Sequence, residues 1–591
     1  MSRTKCLTYS VTFVTAASLL ACLPTAAGQE RQQLRTAIAA PANSQPMGRM
    51  PSSQQLRLAL TLRLRNEDQL GDLLARLYDP TSVNYRQFLS VQQFTEQFGP
   101  TAADYQQVID WSKSHGLRIV HVATNRLVLD VAGSVASIES TFQVKMQVYR
   151  HPSENRTYYA PNVEPSIDSG IPVQGISGLN TFVPPRPMGL KRASSSEIAH
   201  SNTTGSGPGG SFLGSDMRVA YYGGTTLTGA GQTLGLFEFG PYNLSDVKAY
   251  FSSVKQTLRV PIVNELLDDV SGICGAGCDD GEEVIDIEQA TSMAPGLSAV
   301  IVYEGNNDTD MFNQMATDNI AKQLSVSFGW LPADPQSDEP IFEEFAVQGQ
   351  NVFVASGDGG AYFGNPADCQ NFSNLDGCIF YPADDPLITA AGGTDLTTTG
   401  PGGPWRSETG WIGSGGGFST NGFKIPIYQA PVINGSNQGS KTLRNIPDVA
   451  AEANTDNFFC ANGGCFIGVG GTSLSAPRWA GFLALANEHA NGNPIGFLNP
   501  TLYLIGLGPD YDSDFHDVVV GDNFNNGSPT LFPDVLGYDL VTGWGSPNGQ
   551  ALINALGPAS SGSPNFTLET SPRKLTLTQG EKGASTITVA A

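Results

Sequence analysis

Histidine is scarce in this chain, and its distribution matters more than its number. Of 591 residues 6 are His, and none lies between His200 and His489. That span holds most of the Gly-rich, apolar sequence, so acid–base chemistry there needs another side chain. Basic residues are few as well: 32 Lys+Arg stand against 55 Asp+Glu, a formal net charge of -23, with only 15% of residues charged. With no basic stripe to contact phosphates, nucleic-acid binding is excluded as a function class. The low density of bases also limits the positive charge that remains when carboxylates protonate, which keeps self-repulsion small in acid. Past the first 28 residues no run is long and apolar enough to span a bilayer. The cysteines form no paired Cys-x-x-Cys elements, which argues against a zinc site. What remains is a hydrophobic content of 40%, ordinary for globular protein, in a chain long enough for several domains.

The stretch Gly470 to Pro477, GGTSLSAP, runs into the apolar segment Ala480 to Ala486. It reads as a serine at the mouth of a buried helix, with Pro477 in the first turn. Small residues before Ser473 let another chain approach closely, and a helix start supplies unpaired N–H groups and positive potential. An N-cap serine is the bland alternative. A nucleophile needs a base, but His489 falls about four turns down the same helix and points away. His516 is not excluded by position alone.

The histidine-free span offers carboxylates instead. In GEEVIDIE, Glu282 and Asp286 are four apart and share a helix face, where like charges raise one pKa and allow a shared proton. A solvated acidic face is the alternative, but the interleaved Val284, Ile285 and Ile287 argue for burial. In NVFVASGDGG an apolar strand ends in a Gly-rich turn carrying Asp358, at the carboxyl end where sites collect in open α/β sheets.

GEEVIDIE, SGDGG and GGTSLSAP, in that order, resemble the sedolisins, the serine-carboxyl peptidases. The resemblance implies an α/β, subtilisin-like fold, a mainly parallel sheet with helices on both faces. It implies Ser473 as nucleophile, Glu282 as its base and acid, Asp286 as the group holding Glu282, and Asp358 as a protonated oxyanion donor. Glu238 extends the acid chain behind Asp286, although Phe328 stands where the family often has tryptophan. Both a carboxylate base and a carboxylic-acid donor call for acid conditions.

In chain order, residues 1–28 read as a secretory signal peptide, with Arg3 and Lys5 before an apolar core and Thr25-Ala26-Ala27 behind it. Leu19-Leu20-Ala21-Cys22 also resembles a lipobox, which would put a lipid anchor on Cys22. Residues 50–185 are richer in Arg and Leu and resemble the sedolisin pro-segment, an α+β ferredoxin-like domain that acts as intramolecular inhibitor. Four histidines, His115, His121, His151 and His200, fall in or just after it, and their charging would weaken the inhibitor's contact in acid. Residues 186–212 are a linker containing the activation cleavage, and 213–557 the catalytic domain. Its strands are expected at Thr233–Phe239, Ser298–Tyr303, Gln323–Phe328, Asn351–Ala355 and Leu387–Ala391. Gly415 to Gly417 are expected to offer backbone to an extended polypeptide substrate. Close spacing suggests three small loops, Cys274 with Cys278, Cys369 with Cys378 and Cys460 with Cys465.

FHDVVVGDN and DVLGYDLVTGWG resemble the sedolisin calcium site. The resemblance implies one Ca2+ held by Asp517 and Asp539 carboxylates and by Val518, Val535 and Gly537 carbonyls. Residues 558–591 read as a linker and a partial β module of two strands. The whole points to a secreted, acid-active serine-carboxyl endopeptidase made as a self-processing zymogen. A tripeptidyl exopeptidase of the same family, a catalytically silent binding module and a histidine-dependent subtilisin are the alternatives.

Overall fold

The structure is a computed structural model that describes residues 30–34, 39–41, 44–152, 154–193, 204–367, 369, 377–557 and the strands Thr567–Ser571 and Thr586–Ala590. The expected signal peptide, Cys22 and linker residues 194–203 lie outside the described residues.

The N-terminal body is built on the alternating strand Gln55–Leu62, whose even positions are buried. It pairs antiparallel with Val128–Ser134 and Val173–Ser177, and Arg118–Val122 completes the sheet at its other edge. Numbering these strands along the chain gives the spatial order 4-1-3-2, which is the ferredoxin-like arrangement. Helices Ala102–Ser114 and Val135–Phe142 cover one face, and both begin at a hydroxyl N-cap, Thr101 and Ser134.

The second body is α/β. Seven parallel strands and one antiparallel strand form its sheet, which places Thr233–Glu238 at the centre between Ala299–Glu304 and Gln323–Val326. Outward from these lie Ile262–Leu266 on one side and Asn351–Ala355 and Thr389–Thr398 on the other. The last of these pairs with Val449–Glu452 in parallel and Trp405–Gly410 antiparallel. The five strands expected from sequence are present, each within a few residues; the last is longer because Thr394–Thr398 carries the antiparallel neighbour.

Helix Thr472–His489, the serine helix, packs across strands Gln323–Val326, Asn351–Ala355 and Thr389–Thr398. Against it lies Gly281–Met293, the acid helix, in which every residue is buried. Helices Asp308–Asp318 and Pro335–Gln348 pack on each other on the opposite face, and there the N-terminal body docks. The connections carrying the acid helix and Asp308–Asp318 step through the sheet in the same direction. Placing their helices on opposite faces gives one of the two the uncommon left hand.

Docking is part apolar and part polar. The Tyr78 hydroxyl donates to the Ala346 carbonyl at 2.6 Å, and Asn125 donates to Glu344 and Asn313 at 2.7 Å each. Arg57 reaches Asp268 at 3.2 Å, Asp269 at 3.4 Å and Asp310 at 3.9 Å. Disulfides join Cys274–Cys278, Cys369–Cys378 and Cys460–Cys465, as the spacing suggested. Strands Thr567–Ser571 and Thr586–Ala590 pair with one another, antiparallel. Among the described residues no helix is long and apolar enough to cross a membrane.

Candidate active site

The strand Gly464–Gly470 turns into the serine helix through Gly470 and Gly471, where side chains have no room. A Cβ on Gly470 would stand 2.6 Å from the Ala453 carbonyl oxygen, and one on Gly471 2.7 Å from Asp358 Oδ2. Ser473 is the second helical residue and fully buried. Pro477 lies inside the helix rather than in its first turn. Lacking an N–H, it leaves the Ser473 carbonyl without its usual helical partner.

Thr472 fastens this start to the next strand. Its N–H and hydroxyl both donate to Asp358 Oδ1, at 2.6 and 2.8 Å, and its hydroxyl oxygen accepts from the Gly357 N–H at 3.0 Å. Asp358 Oδ2 is buried with no partner. Burial pushes this carboxyl up to about 6, against the pull of the Thr472 bonds and the Lys191 charge. A protonated Oδ2 would be a donor beside Ser473.

The acid helix brings Glu282 and Asp286 to the same place from the other side. The Ser473 hydroxyl faces the Glu282 carboxyl closely enough to favour its charged form. The two do not form a bond of normal geometry, and neither Ser473 Oγ nor either Glu282 oxygen has another partner. Burial, then the Asp286 charge, hold Glu282 well above the usual carboxylate range. Burial likewise raises Asp286, opposed by the Ser327 hydroxyl, which lies 2.9 and 2.8 Å from its two oxygens. Behind it the fully buried Glu238 faces Asp286 and is raised by burial and by that neighbour. The charge of Asp286 acts on both Glu238 and Glu282, so the three buried acids lie in a row that ends at Ser473, where like charges favour a proton on at least one of them.

Neither His489 nor His516, the histidine left open by the sequence, joins this row. His489 ends the serine helix sixteen residues on, roughly 24 Å away. The His516 ring stacks on Trp405 at 3.9 Å, and burial lowers its pKa to about 4.

Across the site runs a segment of the chain itself. Val183–Pro187 pairs antiparallel with Phe328–Leu331, and the Met188 N–H donates to the Ser327 carbonyl at 3.1 Å. Lys191–Arg192 then pairs antiparallel with Gly470 and Val469, and the Ala193 N–H donates to the Gly468 carbonyl at 2.7 Å. Between the two paired stretches Gly189 passes Asp358: a Cβ on Gly189 would lie 3.8 Å from that of Asp358. The strands flanking the extended segment are thus 327–331 and 468–470. Gly415 to Gly417, expected to do this, are used internally: Gly415 donates to the Gly357 carbonyl at 2.7 Å, and Gly417 pairs with Ile446. Sequence reasoning also missed Thr472 and Ser327, whose hydroxyls carry no pattern that separates them from other buried ones.

The expected calcium ligands surround one turn. The Gly537 N–H donates to Asp517 Oδ2 and the Val535 N–H to Asp539 Oδ2, each at 3.1 Å. Val535 has no positive φ, so valine meets no backbone strain there. The buried Asp534 Oδ1 beside them has no partner. Carboxylates and peptide carbonyls are the hard oxygen donors that calcium takes. A different acidic group, Asp395, Glu452 and Asp456, brings three carboxylate oxygens within 4.8 Å of one another and could hold a metal ion.

Residues 42–182 match the family model described as the pro-kumamolisin activation domain. Over 544 residues the chain is 29% identical to sedolisin of Pseudomonas sp. (strain 101), covering 85% of this chain and 87% of that protein. It is 27% identical to tripeptidyl-peptidase 1 of Canis lupus familiaris, over 86% of this chain and 93% of the other. The solved structure of Pseudomonas sedolisin, a serine-carboxyl proteinase in complex with pseudo-iodotyrostatin, is 27% identical and superposes with a TM-score of 0.49. It covers 60% of this chain and 98% of its own.

Proposed function

We propose that this chain, a member of the sedolisin family of serine-carboxyl peptidases, is a secreted, acid-active endopeptidase made as a self-processing zymogen. The observation that carries the reading is the extended segment 183–193, paired on both sides and passing Asp358 and Gly471 at the head of the serine helix as a bound polypeptide would. Ser473 Oγ attacks the peptide carbonyl carbon and passes its proton to Glu282. Asp286, held by Ser327 and Glu238, keeps Glu282 in place and shares its proton. Asp358 Oδ2–H donates to the oxyanion, and Glu282 returns the proton to the leaving amine. Water then hydrolyses the acyl ester by the same steps in reverse order.

Residues 50–185 act as the inhibitory pro-segment, 186–212 as the linker and 213–557 as the peptidase. Residues 1–28 direct export, and 558–591 form a linker and partial β module. Asp517, Val518, Val535, Gly537 and Asp539 hold one structural calcium ion, which would tie the loops at 517–518 and 535–539 together. Chelation should then lower the unfolding temperature of the purified precursor.

Six residues, Val183 to Met188, occupy the cleft upstream of Asp358 and continue into the N-terminal body. A cleft open over that length favours endopeptidase over tripeptidyl action, which needs closure after three residues. The test is digestion of denatured casein by the purified precursor from about pH 3 to about pH 8, beside Ser473→Ala and Glu282→Gln. Processing and digestion confined to acid and absent in both variants are expected. Digestion that peaks at neutral pH or survives loss of Glu282 would overturn the mechanism, and products all three residues long would reassign the enzyme as an exopeptidase.

A further inference from the structure

Resting on the proposed peptidase reading, we infer that the precursor cuts itself at the Met188–Gly189 bond. We infer too that residues 188–192 display the enzyme's preferred substrate: a long unbranched apolar residue before the cut, glycine after it, and basic residues in the third and fourth places beyond. The register fixes the bond. On the upstream side pairing ends with the Met188 N–H on the Ser327 carbonyl, and on the downstream side it begins at Lys191. Ser327 also holds Asp286 through its hydroxyl, so one residue sets both the substrate's register and the acid row. Gly189 lies against Asp358, and a Cβ on Gly471 would stand 3.4 Å from Leu190 Cδ1, so the carbonyl just upstream of Gly189 falls to the serine and its oxyanion donor.

The side chains define the pockets. Met188 is only 3% exposed, in a cleft with Phe363 and Phe380. Its floor is Gly329, where a Cβ would stand 2.6 Å from Met188 Sδ and 2.8 Å from Phe380 Cβ. A branched side chain has no matching wall there, and the one charge lining the cleft, Arg186 of the segment itself, is already paired with Glu154 at 3.2 Å. Downstream, the Lys191 ammonium lies 5.6 Å from the Trp411 ring, and Arg192 sits over Phe459 and Phe466 at 5.5 and 5.0 Å. Aromatic faces select cations, and an acidic protein reinforces the choice.

The step balances within the chain. Ser473 Oγ bonds to the Met188 carbonyl carbon as its proton goes to Glu282. The C–N bond to Gly189 breaks, and Gly189 leaves as an amine with the proton from Glu282. Water then releases Met188 as a carboxylic acid and restores the Ser473 hydroxyl.

The experiment acidifies the full-length precursor and reads the first released pro-fragment by intact mass. The activated enzyme is then given a quenched fluorescent peptide of residues 184–193 and its Met188→Asp and Lys191→Glu/Arg192→Glu versions. The expected fragment ends at Met188 and the peptide is cut before Gly189. kcat/KM should fall at least about tenfold for the Asp version and severalfold for the double Glu version. A Gly329→Ala enzyme should raise the ratio of kcat/KM for an alanine version over the methionine peptide by about tenfold. A first fragment ending elsewhere, a cut at another bond, or indifference to these changes would overturn the inference. If denatured casein is digested under the same conditions, such a result overturns this inference alone. If casein is untouched at every pH, the peptidase reading itself has failed.

Discussion

Asp358 couples the site to pH through a single free oxygen. Oδ1 is spoken for by Thr472, so a proton can reside only on Oδ2, facing the cleft. Burial raises the group from its ordinary 3.8 to about 6. Below that value it is neutral and can donate; above it the carboxylate would repel the oxyanion. On the proposed roles, kcat/KM should therefore fall as pH rises through about 6. In Asp358→Asn, which donates without titrating, that limb should move to higher pH in the rate profile. Asp358→Ala should lose about 10²–10³ in kcat at the acid optimum, the usual cost of one oxyanion donor.

At the scale of elements, the site depends on how strands and helices are locked to each other. The stretch Arg444 to Ala453 contributes no group to the acid row; its work is structural. Arg444 and Asp448 are both fully buried and meet at 2.5 Å, while Asp448 also accepts from the Ala390 N–H and the Tyr503 hydroxyl at 2.8 Å each. This pair joins strand Val449–Glu452 to Thr389–Thr398. Arg444→Met should cost about 3–5 kcal/mol in denaturant unfolding, because it leaves a buried carboxylate without its cation. Ser327→Ala should act differently. It removes the bond that opposes the burial of Asp286, so kcat should fall and its acid limb shift, with KM nearly unchanged.

For the molecule as a whole, buried carboxyl groups set the direction of pH stability. Burial raises Asp334, Glu343 and Asp384 to about 7 and Glu344 to about 8. Each contributes stability that is fully present below about 4, where both folded and unfolded groups are protonated, and that is lost as pH rises through its folded value. The precursor should unfold at a higher temperature near pH 5 than near pH 8, the reverse of ordinary acid denaturation, as calorimetry would measure. Glu344, raised to about 8 and so already protonated at neutral pH, accepts from Asn125 of the N-terminal body, and acid brings no further change to that contact. Two of the four histidines do not bear on that contact either, while His151 is buried beside Glu154, Arg156 and Arg186 and His200 lies outside the described residues. His115 bonds within its own helix, to Trp111, and His121 lies 3.7 Å from Asp130 of its own sheet, so neither touches the peptidase body through these contacts. Replacing both with Gln should leave the activation pH in place, and the onset of cleavage becomes the acid step. Arg57→Ala, which removes the cation from Asp268 and Asp310, should instead speed processing severalfold at fixed pH by weakening the dock.

Sequence by itself marked the candidate residues. Three short motifs pointed to one serine and three carboxyl groups, and the histidine-free span pointed to a carboxyl base while leaving His516 open. Alternating and continuous apolar runs placed the strands within a few residues, because burial on one face or two is written directly into periodicity. Only the tertiary structure decided which of two equivalent helices would share the serine's face. That depends on the hand of a connection, which local sequence does not encode. It also decided which backbone receives the extended segment. Glycine composition pointed to 415–417, whereas sheet register gave that place to 327–331 and 468–470. Pairing between residues more than a hundred apart follows from the assembled sheet, not from any pattern within either strand.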